Sequence, residues 1–353
     1  MLKTPVRLNN KGTGYVKDIN NIPMTGERDV HLDVLRILAA FFVIMVHVAG
    51  TGLLKGRDYE LGSLNWYICM IFSSLARWSV PVFVMISGSC FLPPTKTITL
   101  KKLFGKYILR VFVALVVWSS FYAYFFHGKY IPLGLNSGNH LWYLTMIIGI
   151  YLALPILKVI PTVLLKYFTL IWFIFLTIDF INKLSGNAYL IVDIEHYFFM
   201  GYIGYFVLGY LIYSQNRTKK INLFIYIIGI FSFIFTAISA ITLSFTQQET
   251  SQQMFSYFSP NVVLMSISVF AFILNRKFEI KNEFTKLINS IAISTFGIYL
   301  VHMFILIEIY TRVVRFVQNP LIFIPLICIV TFIVGYFITL FLKKIPFISK
   351  YIV

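Results

Sequence analysis

Apolar stretches recur along this chain from Leu32 to Leu342, separated by short polar gaps. Each is close to the roughly 20 residues an α-helix needs to cross a bilayer. The pattern predicts ten transmembrane helices, over 32–54, 64–92, 103–126, 140–157, 163–181, 196–213, 221–245, 259–274, 286–309 and 321–342. Hydrocarbon offers no partner to backbone N–H and C=O groups, so such spans must be helical unless they close into a barrel. The expected fold class is therefore all-α, a polytopic bundle: one membrane domain over 32–342 with polar tails at 1–31 and 343–353. The second stretch is too long for one straight crossing and carries Pro81 in its middle. A proline there removes a backbone hydrogen bond and clashes with the carbonyl four residues back, which predicts a broken helix with 81–88 beside a cavity.

Composition agrees with the pattern. Of 353 residues 59% are hydrophobic and only 12% charged, where a soluble domain carries roughly a quarter charged. The formal charge of +17 reads as topology and not as a nucleic-acid partner, because Lys and Arg collect in cytoplasmic loops. Twenty fall in the N-terminal tail, the even-numbered gaps and the C-terminal tail, against six in the odd-numbered gaps. Both termini are thus expected in the cytoplasm of a multi-pass membrane protein, with the lipid bilayer as its first partner. Residues 1–30 are polar and lack the apolar region of a cleavable signal. Cys69, Cys90 and Cys328 lie inside spans with no paired or ligand-like spacing, so neither a disulfide framework nor a metal site is expected.

Ionisable residues inside a span are costly and raise a functional hypothesis. Arg36, His47, Arg77 and His302 are four. Arg36 and His47 stand eleven residues apart, which puts them on one helix face about 16 Å apart along the axis. Arg77 and His302 fall at nearly the depth of His47. A histidine can take a proton from a hydroxyl and return it to a leaving group, and an arginine can hold phosphate or a developing oxyanion. Taken singly, each histidine also fits a packing role. Lys101 and Lys102 stand at the basic side, where they would attract phosphates. On the opposite side Asp179, Asp193, Glu195, His196, His140 and Glu308 lie near Trp142, Tyr143 and Tyr197, either as a sugar-binding mouth or as interfacial anchors. The soluble nucleophile-elbow and His-Asp acyltransferase patterns are absent. A polar stripe in a bundle would also serve a transporter of a glycan or small polar solute, and that alternative stays open on these residues.

The segment Asp33-Val-Leu-Arg36 with His47 eleven residues after the arginine resembles the opening of acyltransferase family 3, the integral membrane acyltransferases of bacterial surface carbohydrates. The stretch from Arg77 through Pro81 to Ser87-Gly88 is similar to that family's second-helix run. His140-Leu-Trp142, Gly204 to Gly209 and Ser294 to His302 are similar to its later signatures. The resemblance implies a ten-helix bacterial cytoplasmic-membrane enzyme that uses acyl-CoA from the cytoplasm. The acyl group, acetyl favoured and succinyl next, would reach a cell-surface carbohydrate or lipid-linked glycan outside. It implies His47, Arg36 and Arg77 as catalytic residues, and Arg36, Arg77, Lys101 and Lys102 as the donor's contacts. His302, His140, Trp142 and Glu308 are weaker acceptor contacts. A separate extracytoplasmic acyl-acceptor protein is a further expected partner.

Overall fold

The computed structural model of the chain describes residues 28–50, 59–127, 140–185, 198–278, 282–313 and 319–353, and no strand occurs among them. The helices are α1 (Val30–Ala49), α2 (Leu64–Ala76), α3 (Ser79–Phe91), α4 (Leu100–Lys102), α5 (Leu109–His127), α6 (Trp142–Val159) and α7 (Thr162–Ser185). They continue with α8 (Phe198–Ser214), α9 (Lys219–Gln247), α10 (Pro260–Leu274), α11 (Asn282–Val313), α12 (Pro320–Leu342) and α13 (Pro346–Tyr351). Among the described residues nine helical segments are long and apolar enough to cross a membrane, with α2 and α3 forming one of them and α4 running into α5 through a π-helical stretch, Leu103–Ile108. The expected tenth crossing corresponds to α8, whose 17 described residues are at the short end of the spanning range. The side where the loop Lys and Arg collect is the basic face below.

The lipid surface is written on α9. Its buried positions are small or polar, Asn222, Gly229, Ser232, Thr236, Ala237, Ala240 and Ser244, while Phe224 and Phe231 stand about two-thirds exposed. A water-soluble helix would show the reverse. In lipid the apolar face has nothing to hide from, and small residues bring helices into close contact.

The predicted break falls at Arg77–Trp78, between α2 and α3. The position follows from Pro81, whose missing N–H and ring both act on the carbonyl four residues earlier, that of Arg77. Nearby carbonyls are satisfied locally: Ser79 Oγ donates to Ala76 O at 2.7 Å, and Arg77 N to Ser74 O at 3.5 Å. Arg77 therefore sits at an unwound turn inside the bundle.

Backbone contact between α3 and α8 fixes what lies beside that turn. A Cβ on Gly88 would stand 1.7 Å from Phe206 O, and one on Gly209 2.1 Å from Met85 O. Only glycine permits the crossing, so the Ser87-Gly88 and Gly204 to Gly209 segments are halves of one contact. At the basic face Asp29 caps α1 by accepting from His31 N at 2.9 Å and accepts Tyr213 Oη–H at 2.8 Å. The chain's last helix, α13, folds back on α5: Trp118 Nε1 donates to Ile352 O (3.1 Å) and Arg110 to Val353 O (2.7 Å).

Candidate active site

At the basic face one buried carboxylate organises two arginines. Arg28 Nε and Nη2 donate to Asp33 Oδ2 and Oδ1 at 2.9 and 2.7 Å, and Arg36 Nη1 donates to Oδ1 at 2.6 Å. Arg36 Nη2 reaches across to Cys90 Sγ on α3 at 3.2 Å. The hydrogen bond to Asp33, partly opposed by burial, holds the Arg28 guanidinium above its ordinary pKa. Lys343 follows α12 and is pushed down to about 8, first by burial and then by the charges of Arg110 and Arg28; its Nζ donates to Ser294 Oγ at 3.0 Å. Arg110 on α5 is mostly buried, with Nε lacking any partner. Lys158 has another role, donating to the carbonyls of Phe91, Pro93 and Lys96 at 2.8 to 3.2 Å, where a cation closes the C-terminal end of α3.

From Arg36 inward the polar groups continue. Tyr151 on α6 lies within electrostatic reach of Arg36 and Cys90, and its ring packs on Phe91 of α3, centroids 5.0 Å apart. Tyr143, two turns back along α6, packs on Phe83 of α3, centroids 6.3 Å apart. The Tyr143 ring packs on Tyr299 of α11, centroids 5.6 Å apart.

At the deep end three histidines meet. The ring centroids of His47 and His302 are 5.2 Å apart, and those of His140 and His302 5.0 Å apart. His302 Nδ1 is engaged by Tyr299 O, and Tyr299 Oη donates to His140 O. The Nε2 atoms of His302 and His140 are buried without a hydrogen-bond partner among the described residues. Arg77, in electrostatic reach of His47, lies 4.5 Å over the Phe255 ring. It lies within electrostatic reach of Tyr257 and donates to Gln252 Oε1 at 3.4 Å, while its Nε is a third buried nitrogen with no hydrogen-bond partner among the described residues. Among the described residues no group of three His, Cys, Asp or Glu could hold a metal ion.

The arrangement joins four elements around one polar path. Arg36 and His47 come from the same face of α1, Arg77 from the α2–α3 break, His302 from α11 and His140 from just before α6. Lys101 and Lys102 are exposed on α4 at the basic face, with no contact to Arg36. Of the expected outer mouth only part lies among the described residues. His140 is buried beneath His302; Asp179 pairs with Lys183 (3.2 Å) and Glu308 with Arg312 (3.3 Å), each one turn along its own helix. Trp142 lies on Tyr202 and Tyr257, centroids 5.5 and 6.1 Å away, which brings it toward Arg77. Asp193, Glu195, His196 and Tyr197 lie outside the described residues. Sequence reasoning met Asp33 only inside the Asp33-Val-Leu-Arg36 motif and Tyr143 only among the outer aromatics, and did not name Tyr151, Tyr257 or Arg110. Arg110 and Asp33 are charges within or at the edge of apolar stretches and were visible as such; a tyrosine in a span has no comparable signal.

A family model described as an acyltransferase domain matches residues 29–340, nearly the whole chain. Neither a curated protein nor a solved structure matches. The matched range contains every residue of the path just described from Asp33 to His302.

Proposed function

The chain belongs to the acyltransferase domain family and is a multi-pass membrane enzyme of acyl transfer; from that premise we propose that it is an O-acyltransferase, most simply an O-acetyltransferase. The donor in this reading is acyl-CoA at the basic face, and the acceptor is a hydroxyl of a cell-surface glycan or its lipid-linked precursor on the other face. The observation that carries the reading is the run of polar groups through the bundle from Arg36 to the histidine cluster, ending in buried nitrogens with no hydrogen-bond partner among the described residues. Unpaired buried donors and acceptors cost free energy. A protein keeps them where a substrate supplies the missing partner.

The donor is a thioester, and its carbonyl is the electrophile. His47 takes the proton of the acceptor hydroxyl as the C–O bond forms, and the C–S bond breaks as the same proton passes to the departing thiolate. The proton balance closes within the site. Arg77 donates to the carbonyl oxygen as negative charge builds on it, which is worth most where water is excluded. At the opposite end Arg36, Arg28, Arg110 and Lys343 offer positive charge to the donor's phosphates. Asp33 leaves the cluster net positive while fixing two guanidiniums in place.

The test is transfer of radiolabel from [14C]acetyl-CoA to glycan in membrane vesicles, together with mass spectrometry of surface polysaccharide from cells with and without the protein. Label and a mass increment that vanish in His47→Ala at matched expression are expected. Solute flux with no covalent label would replace the enzyme by the transporter.

A further inference from the structure

Between α9 and α10 the chain turns back into the bundle. α9 leaves the basic face at Lys219 and α10 returns to it just before Arg276, so the segment 248–259 lies toward the other face. Yet Met254 and Phe255 are buried, and the Phe255 ring centroid stands 4.5 Å from Cζ of Arg77, a residue about 20 Å along α2 from its first turn. Irregular backbone at depth persists where protein covers it or where it lines a cavity. Cover comes from four helices. Ser251 N donates to Ser244 Oγ of α9 at 2.9 Å, Trp66 Nε1 of α2 to Thr250 Oγ1 at 2.9 Å, Asn261 Nδ2 of α10 to Met254 O at 3.0 Å, and Tyr205 Oη of α8 to Tyr257 O.

What this segment turns toward Arg77 is uncommitted. Gln252 is exposed. Its Oε1 accepts from Arg77 Nη2 at 3.4 Å, a length at which a hydrogen bond is weak, and its NH2 donates to nothing among the described residues. Two residues beyond Phe255, and so within about 7 Å of it along the backbone, Tyr257 joins Trp142 and Tyr202 in a group of three rings with centroids 5.5 to 6.4 Å apart. Tyr202 is 2% exposed and backs the other two, which keep part of their surface open. Trp142 in turn follows by two residues His140, which packs on His302. The rings therefore bridge the Arg77 side of the site and its histidine side. A carboxamide offers an acceptor and two donors side by side, the complement of two neighbouring hydroxyls. An aromatic face carries negative charge density, the complement of the weakly positive C–H face of a sugar ring.

We propose that Trp142, Tyr257 and Gln252 form an acceptor subsite that stacks one pyranose ring of the glycan and reads, through the Gln252 carboxamide, the hydroxyl next to the one acylated. On entry the sugar takes the place of the long Arg77–Gln252 bond, which frees Arg77 Nη2 for the acyl carbonyl. The proposal rests on the reading of acyl transfer to a glycan given above and goes beyond it in naming the residues that select the hydroxyl.

The probes are full-length protein in membrane vesicles, [14C]acetyl-CoA, and surface polysaccharide from cells lacking the protein, stripped of its esters by mild alkali. Gln252→Ala is expected to raise the KM for polysaccharide about three- to tenfold, while the Kd for acetyl-CoA measured by calorimetry stays within about twofold. NMR of the product is expected to show acetyl spread over a second ring position where wild-type protein fills one. Trp142→Ala is expected to raise the same KM about tenfold, and Trp142→Phe, which keeps a ring face, to recover most of that loss. Should Trp142→Ala fail to fold, Gln252→Ala decides, because an exposed side chain is removed and the thermal midpoint in detergent is expected to match wild type. A polysaccharide KM and an acetyl position both unchanged in Gln252→Ala overturn the subsite while leaving the enzyme reading intact. A Kd for acetyl-CoA that rises in step with the polysaccharide KM also overturns it and moves these residues to the donor. Wild-type protein that labels no polysaccharide removes both readings together.

Discussion

The two ends of the polar path treat charge in opposite ways. At the basic face Arg28 and Arg36 are neutralised by Asp33, a buried carboxylate that accepts three hydrogen bonds from them. At the deep end Arg77 donates to a neutral acceptor, Gln252, and among the described residues three nitrogens of Arg77, His140 and His302 have no hydrogen-bond partner. At the first end the protein itself pairs two arginines and leaves only Arg110 Nε open. The second is incomplete without a ligand, and that difference separates a holding site from a reacting one.

Substituting the arginine of the deep end gives the largest expected effect. Arg77→Met, which keeps comparable volume, should lower label transfer at least about 100-fold by removing the donor to the developing oxyanion. The same change should leave the thermal midpoint in detergent unchanged or raised, because it deletes a buried charge lacking a counter-ion. A variant that lost stability in proportion to activity would erase the contrast between the two ends. Next in size is Asp33→Asn, where the expected loss is in stability: about 2 kcal/mol by denaturation, reduced from a fully buried pair because Arg28 and Arg36 are 38% and 25% exposed. Residual transfer by the folded fraction is expected, with a raised KM for acetyl-CoA.

The smallest effect is one of pH. Lys343, whose pKa lies near 8, loses its charge as pH rises through that value, so the KM for acetyl-CoA should rise about threefold between pH 7 and 9. Lys343→Arg should flatten the profile. Stability runs the other way. The unfolded chain holds the lysine proton up to its ordinary value of 10.5 and so binds more protons between about pH 8 and 10.5, making the native state more stable as pH rises across that window. Falling stability there would assign the depressed pKa to something other than the arginine neighbours and burial.

Much of the fold was legible because a bilayer imposes few solutions. Apolar length announced the crossings, and Pro81 announced the broken second helix. Its position needed one more step of chemistry, since the proline acts on the carbonyl of Arg77 and not on its own residue. Helical periodicity put Arg36 and His47 on one face of α1, and similar depth grouped them with Arg77 and His302. The outer mouth was less legible. Composition placed His140 beside Asp179 and Glu308, but nothing local to His140 shows that it turns inward beneath His302, or that the two acids are taken by Lys183 and Arg312 on their own helices.

By itself the sequence determined which segments enter the membrane and that a few charged residues are carried into hydrocarbon. These are one-dimensional properties, set by transfer free energy summed over consecutive residues. Only tertiary structure decided which of those charges are satisfied. Asp33 reaches Arg28 and Arg36 because α1 has a capped first turn, and α3 and α8 touch at the backbone because Gly88 and Gly209 carry no Cβ. Hydrogen bonds act within about 3 Å, and no pattern along the chain encodes a distance between residues that lie fifty or two hundred positions apart.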